Sequence, residues 1–277
     1  GNFWWLVGLG IIFDMYITEK VHWAFWKKKN PPDGKQTKLV EWVDAIIFAV
    51  VAASIIRIFI FEAYTIPTSS MEKSMLVGDF LFVSKLSYGP KIPNTPLAFP
   101  FVHHTLPLTE FTKSYVEWVK WPFYRFPGFT QVKRGDVVVF NYPDGDTVAL
   151  RKQNQSYYAL VRENGREQVW NNKFEFGDIV ARPVDKRENY IKRCIAIPGD
   201  TIQIIDQIVY VNGKKSDLPE DMQFMYRVKT DGYDINKRTL DKLDITEPVY
   251  QDGDALLITL TNENVERLKQ LPNIVSV

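Results

Sequence analysis

Seventeen consecutive residues, 45–61, read AIIFAVVAASIIRIFIF and carry a single charge, Arg57. At about 1.5 Å of rise per residue, a helix of that length nearly matches a hydrocarbon layer of roughly 30 Å. Val40, Trp42 and Val43 extend the run on one side, and Arg57 lies near enough to the other end to snorkel. The run is read as a transmembrane helix; its slight shortness leaves a buried core helix as the competing reading. An earlier stretch, FWWLVGLGIIFDMYI from Phe3 to Ile17, carries Asp14 and is the weaker span. Between the two lies WKKKNPPDGKQTK, in which Lys27, Lys28, Lys29, Lys35 and Lys38 stand against Asp33 alone. The positive-inside tendency assigns this linker, about 27–39, to the cytoplasm. With both runs spanning, everything after Phe61 is outside, and residues 1–63 form a two-helix membrane anchor. A cleaved leader is disfavoured, because a second apolar run follows and the basic residues come after the first.

Composition narrows the rest. The 277 residues allow one large or two modest domains. Lys+Arg at 34 against Asp+Glu at 33 leaves no basic excess for a polyanion, so nucleic acid is not expected as a partner. Cys194 is the one cysteine, which excludes internal disulfides, and with His22, His103 and His104 alone no clustered Cys/His zinc site is expected. His103 and His104 read as surface loop residues and Cys194 as an inert packing thiol.

From Asp79 onward short β-rich runs take over: DFLFVSKL, DVVVFNY, YIKRCIAI and TIQIIDQIVYVNGKK, with Asn212-Gly213 as a hairpin turn. Helical periodicity emerges only at TNENVERLKQL, 261–271, between ALLITL and IVSV, which predicts a small β-α-β unit. The fold class expected is mainly β: an antiparallel sheet or barrel-like body over 64–215, with N-terminal transmembrane helices and an incomplete α/β appendage over 216–277. Two long connections interrupt the body, at about 90–131 and 144–188. Trp118, Trp121, Phe123, Tyr124, Phe126 and Phe129, with Lys120 and Arg125, suit a membrane-interface belt or the core of an insertion. The last strand breaks off at Val277, so the native chain is expected to continue.

Four ordered elements follow the second apolar run: Pro67-Thr68-Ser69-Ser70-Met71, Gly78-Asp79 through Lys85, Arg134-Gly135-Asp136 through Phe140, and Tyr190-Ile191-Lys192-Arg193 with Pro198-Gly199-Asp200. Together they resemble the type I signal peptidases, the bacterial leader peptidases that work through a Ser-Lys dyad. The resemblance implies a hydrolase of the bacterial inner membrane, with its catalytic domain on the periplasmic side, that removes signal peptides from exported preproteins. It also implies Ser70 as nucleophile and Lys192 as general base, with the Ser70 N–H and the Thr68 hydroxyl as oxyanion donors. Pockets for small residues at positions −1 and −3 carry over to Tyr64, Ile66, Met71, Met75, Val139, Tyr190 and Ile191. No cofactor is implied, the lipid bilayer is a partner, and the oligomeric state stays open.

The chemistry fits those residue types. A serine hydroxyl is a weak nucleophile until a base takes its proton, and a lysine serves when burial favours its neutral amine. Ile191, Ile195 and Ile197 flank Lys192 and are expected to desolvate it. An extended substrate is expected to add to the strands leading to Ser70 and Lys192. Two departures stand out: Lys73-Ser74 where the family pattern has Pro-Thr, and no Gly-Asp-Asn-Arg box within 201–277. The second leaves open a catalytically inactive binding relative, or a box beyond residue 277. Ser70-Met71-Glu72-Lys73 also satisfies the Ser-x-x-Lys pattern of penicillin-recognising enzymes, which requires both residues on one helical turn.

Overall fold

The computed structural model describes residues 13–18, 21, 36–109, 111–217, 219 and 221–277. The chain divides into two compact units, Gly1–Arg57 and Ile58–Val277. The apolar run forms helix α1, Lys38–Phe59, a 22-residue helix with no buried side chain. Its most apolar 18-residue window has a mean hydropathy of 2.2, and among the described residues it alone is long and apolar enough to cross a membrane. It starts earlier than the apolar run and stops sooner. The helix gains Lys38, Leu39 and Glu41, all good helix formers, and has Glu41 in its first turn and Arg57 in its last, charges that suit the two ends of the helix dipole. Phe61, expected inside the span, instead opens the first strand. Most of the first apolar run, and most of the basic linker at 27–39, lies outside the described residues; a π-helical turn, Asp14–Thr18, is seen at the end of that run.

In chain order the next strands are β1 (Phe61–Thr65), β2 (Phe80–Ser84), β3 (Val137–Asn141) and β4 (Thr147–Ala149). Helices α2 (Tyr157–Asn164), α3 (Arg166–Asn171) and α4 (Lys173–Phe176) lead to β5 (Ile179–Ala181) and β6 (Asn189–Arg193). Then come β7 (Ile202–Ile205), β8 (Ile208–Val211), β9 (Lys214–Lys215) and β10 (Gln223–Thr230). The chain ends with α5 (Lys237–Lys242), β11 (Tyr250–Asp252), β12 (Ala255–Thr261), α6 (Asn262–Lys269) and β13 (Ile274–Ser276). The sheets are β1-β2, β3-β6, β4-β5, β7-β8-β9 and β11-β12-β10-β13, with antiparallel pairing throughout. The mainly β, antiparallel expectation holds, but no closed barrel forms among the described residues. The physical reason is punctuation: turns and insertions end each ladder after a few residues.

That punctuation is regular. Gly78-Asp79, Gly135-Asp136 and Gly199-Asp200 share one turn, with the glycines at φ +95°, +87° and +93°. In each turn the Asp carboxylate accepts from the N–H three residues earlier, on Leu76, Lys133 and Ile197, at 2.8, 2.8 and 2.9 Å. The Asp N–H in turn donates to the carbonyl of that same residue, at 3.1, 3.3 and 3.0 Å. A positive φ at the third turn position suits glycine, and the acceptor carboxylate satisfies an amide that the ladder has released. The third turn is further braced. Arg134 donates to both oxygens of Asp200, and Asn212 Nδ2 donates to one of them at 2.9 Å. The Arg134 guanidinium and the Ile197 N–H hold the Asp200 carboxyl well below the usual range. Asn212-Gly213 makes the expected hairpin turn with φ +53° and +75°. A second such turn, Asp206-Gln207 at +48° and +65°, carries no glycine to announce it.

The two buried cores lie away from the β1-β2 and β3-β6 sheets. Val228, Ile258 and Leu260 of β10 and β12 meet Val265 and Leu268 of α6 in one, and Ala149, Tyr157, Leu160, Val169 and Phe176 form the other. In α6 the buried pair is three residues apart, and Thr261 caps the helix by accepting from the Asn264 N–H at 3.2 Å. The expected β-α-β unit is thus part of a four-stranded sheet with its own core. The connection 144–188 folds into the short helices α2, α3 and α4 around the second core. The connection 90–131 doubles back through isolated bridges such as Lys91↔Arg125 and Ala98↔Tyr115. Its aromatics do not form a core: Trp118 and Phe129 are 86% and 84% exposed.

His103 and His104 also depart from expectation. Both are half-buried where the two insertions meet, with His103 Nε2 3.0 Å from the Arg187 carbonyl and His104 Nε2 3.1 Å from the Glu188 carboxylate. Thr95, fully buried, donates to Asp185 through both its N–H and its hydroxyl, at 3.1 and 2.8 Å. Burial pulls the His103 imidazole below its ordinary 6.5. The unfolded chain therefore binds the proton more readily. His103's contribution is complete above about 6.5 and is lost as pH falls toward the folded value. Thermal midpoints followed from pH 8 to pH 5 are expected to drop more steeply in the wild type than in His103→Asn. Gly199→Ala meets no atom within 4 Å, so denaturant unfolding should read the conformational cost alone, about 1–2 kcal/mol.

Candidate functional site

The connection between β1 and β2 is a tight loop whose two ends are stitched together. Ile66 N–H donates to the Asp79 carbonyl at 3.0 Å, and Gly78 N–H donates back to the Ile66 carbonyl at 2.9 Å. Within the loop, Glu72 N–H donates to Ser69, and the N–H groups of Ser74 and Met75 donate to Met71, at 2.7, 3.0 and 2.8 Å. Ile66 and Met71, 3% and 8% exposed, anchor the loop inward. Ser70, between those anchors, is exposed.

Strand β6 supplies the other half. Its register against β3 sets Lys192 opposite Val138 and Ile191 opposite Val139. Lys192 Nζ donates to Ser70 Oγ across 122 positions of sequence, and Thr68 Oγ1 lies 3.5 Å from the same Oγ. The three residues expected to act together are therefore side by side. Two residues along β6, the Tyr190 ring lies 5.9 Å from Lys192 Nζ and stacks on Tyr142 with centroids 4.3 Å apart. The next residue, Arg193, donates to the Ser74 hydroxyl at 3.2 Å and to the Gly135 carbonyl at 2.9 Å. It thereby ties the Ser70 loop to the strand that carries Lys192. Sequence reasoning did not single out Tyr142, Ser74 or Arg193 for the site; Arg193 had only the signal of its place within Tyr-Ile-Lys-Arg.

The expected desolvation of Lys192 is only partly realised. Lys192, Ile191 and Ile197 are half-buried, and Ile195, two residues past the end of β6, is 40% exposed. Cys194 is likewise half-buried, its Sγ 3.4 Å from the Ala196 carbonyl. Beside Ser70 opens a cleft of about 570 Å³, walled by the Ser69–Glu72 segment, Arg134, Arg193 and residues of the C-terminal sheet such as Gln223 and Thr259. Of the expected substrate residues Met71 lines it; Tyr64, Ile66, Met75, Val139, Tyr190 and Ile191 do not. Tyr64 sits on β1, Val139 on β3, Tyr190 and Ile191 on β6, and Met75 in the loop. Sheets β1-β2 and β3-β6 are separate, and β1 and β6 each keep one edge without a strand partner among the described residues.

The alternative Ser-x-x-Lys pairing does not form. Residues 70–74 are turns rather than helix, and Lys73 Nζ is bonded to the Asp244 carboxylate and to its carbonyl at 2.7 Å. Among the described residues no group of three or more His, Cys, Asp or Glu side chains is arranged to hold a metal ion. A hydroxyl bonded to an amine, with a second hydroxyl alongside, is the donor–acceptor set for nucleophilic acyl transfer.

Comparison with known proteins gives the family. Residues 39–254 match the family described as signal peptidase, peptidase S26. Signal peptidase I of Rickettsia canadensis (strain McKiel) is 28% identical over 186 residues, covering 67% of this chain and 47% of that protein. Signal peptidase I of Bacillus licheniformis is 29% identical over 185 residues, covering 67% of this chain and 56% of that protein. The chain thus spans about half the length of the relatives it matches. No solved structure matches it. With the family's pattern extending from helix α1 to the C-terminal sheet, this chain belongs to the S26 signal peptidase family.

Proposed function

We propose that the protein is a membrane-tethered serine endopeptidase that removes signal peptides from exported preproteins, with Ser70 as nucleophile and Lys192 as general base. The hydrogen bond between Lys192 Nζ and Ser70 Oγ carries this reading. The unpartnered edges of β1 and β6 support substrate docking, since an extended peptide can hydrogen-bond to either strand. Small apolar contacts from Ile66, Met71, Val139 and Ile191 would favour small side chains at −1 and −3. Tyr64, Met75 and Tyr190 would complete those pockets.

In the reaction, a neutral Lys192 amine takes the Ser70 proton as Oγ attacks the scissile carbonyl carbon. The carbonyl oxygen becomes an oxyanion facing the Ser70 N–H and the Thr68 hydroxyl. Collapse breaks the C–N bond, and the departing amine takes the proton from the Lys192 ammonium. Water then gives a proton to Lys192 and attacks the acyl ester. Ser70 Oγ leaves with that proton, and the signal peptide departs as a carboxylate. The amine is only half-buried in the open site. A bound peptide would remove water from around it, and desolvation disfavours its charged form.

Helix α1 supports an inner-membrane tether with the catalytic unit on the outer face. Ten residues lie between Phe59 and Ser70, so the chain from one to the other reaches no more than about 40 Å at ~3.6 Å per step. Exposed Phe80, Phe82, Leu76 and Val77 around the Ser70 loop suit a lipid surface, as do Trp118 and Phe129.

Cleavage of a preprotein in detergent is expected for the wild type and lost in Ser70→Ala and in Lys192→Met, with both variants folded by circular dichroism. Signal peptide bound but uncut by the wild type would make the protein a binding relative instead. Thr68→Val is expected to lower kcat by roughly 10²–10³-fold and Thr68→Ser to retain activity, if the hydroxyl donates to the oxyanion. Equal activity in Thr68→Val would remove Thr68 from that role.

A further inference from the structure

Two side chains immediately beyond Ser70 reach across the fold to one short segment. Lys73 Nζ is bonded to the Asp244 carboxylate and, at 2.7 Å, to the Asp244 carbonyl. Glu72 Oε1 accepts from the Thr246 hydroxyl at 3.0 Å. The partners are 171 and 174 residues apart in sequence, so neither contact is a product of local chain geometry. The Lys73 side chain is 13% exposed although it ends in an ammonium, so its stem is packed down to reach that partner.

The receiving segment is held firmly. Asp244 follows α5, and the next residue, Ile245, is 7% exposed in the core formed by Val228, Ile258 and Leu268. Asn264 of α6 donates to the neighbouring Leu243 carbonyl at 2.9 Å. Both anchor points are bent for the purpose: Lys73 and Asp244 have φ of +66° and +53°, the left-handed region that residues with a Cβ seldom enter. Position 73 is where the family pattern has proline, whose ring fixes φ near −65° and cannot make this turn.

We infer that Lys73 and Glu72 are positioning residues: through Asp244 and Thr246 they make the C-terminal sheet the support that holds the Ser70 hydroxyl against Lys192. On the opposite side, Arg193 holds the same loop through Ser74. The loop is thereby gripped at three consecutive residues, from strand β6 and from the segment that packs on the C-terminal sheet. The inference rests on Ser70 being the nucleophile. Because the Asp244 carboxylate is 75% exposed, the ion pair itself adds little to global stability. Its effect is expected in geometry, where a misplacement of about 1 Å can cost roughly 10²-fold in rate.

Lys73→Gly accepts the left-handed backbone and deletes both bonds to residue 244, Asp244→Gly accepts it and deletes the ion pair while keeping the carbonyl acceptor, and Lys73→Arg keeps a cation. Preprotein cleavage is expected to show kcat lowered about 10- to 100-fold in each glycine variant, with KM within about twofold of wild type. The double variant should be no slower than Lys73→Gly alone, since the lysine makes both bonds to residue 244. Lys73→Arg should recover most of the rate, and thermal midpoints should stay close to wild type. Unchanged kcat, or losses that multiply in the double variant, would overturn the inference. Amide exchange at Glu72, Ser74 and Met75 gives a readout independent of activity and should speed up in both glycine variants. A wild type that fails to cleave, with exchange still faster in the variants, would defeat the proposed reaction and leave the loop support standing. Unaltered exchange would defeat the support.

Discussion

A serine hydroxyl and a lysine amine 122 positions apart meet only because two separate two-stranded sheets each contribute one end. Ser70 stands on a loop bounded by β1 and β2, and Lys192 stands on β6 opposite β3. Neither sheet has a deep core of its own: strand β3 is half-buried along its whole length, and the two buried clusters are built by β4 with the insertion helices and by the C-terminal sheet with α6. The dyad therefore depends on fixings from outside the strands that carry it. Arg193 to Ser74 and to Gly135 is one such fixing, and Lys73 to Asp244 is another.

The Gly-Asp turns show how the same motif serves structure and site together. Each lets the chain reverse through a left-handed glycine while the carboxylate caps an amide that would otherwise be left without a partner. At Asp79 the turn closes the Ser70 loop. At Asp136, which also accepts from the Tyr88 hydroxyl at 2.8 Å, it sets the start of β3. At Asp200 it joins the chain after β6 to Arg134. Three of the four elements that carry the family resemblance thus join a strand to a turn that fixes its end, and the fourth is the Ser70 loop itself.

Much of this was legible in the sequence because it is local. The apolar run, the Asn212-Gly213 hairpin, the helix after ALLITL and the strands around Val137 and Lys192 all announce themselves within a few residues. The pairing of Ser70 with Lys192 was legible only through resemblance, since no spacing rule brings those positions together. What stayed hidden depends on distant partners. Lys73 reads as a surface charge until Asp244 is placed beside it, and Tyr142 reads as a strand end until it stacks on Tyr190. His103 reads as a loop residue until the two insertions close over it. Barrel closure failed for a physical reason visible afterwards: strands of two to eight residues, separated by turns and insertions, leave their ladders short.

The central claim is that Ser70 is a nucleophile activated by Lys192, and covalent trapping tests it directly. The protein is incubated with an Ala-x-Ala peptide bearing a serine-reactive phosphonate, and the adduct is located by mass spectrometry of the digested chain. The account predicts one adduct, on the peptide containing Ser70, that is absent in Ser70→Ala and forms far more slowly in Lys192→Met. An adduct elsewhere, or one on Ser70 that forms equally fast without the lysine, would contradict it.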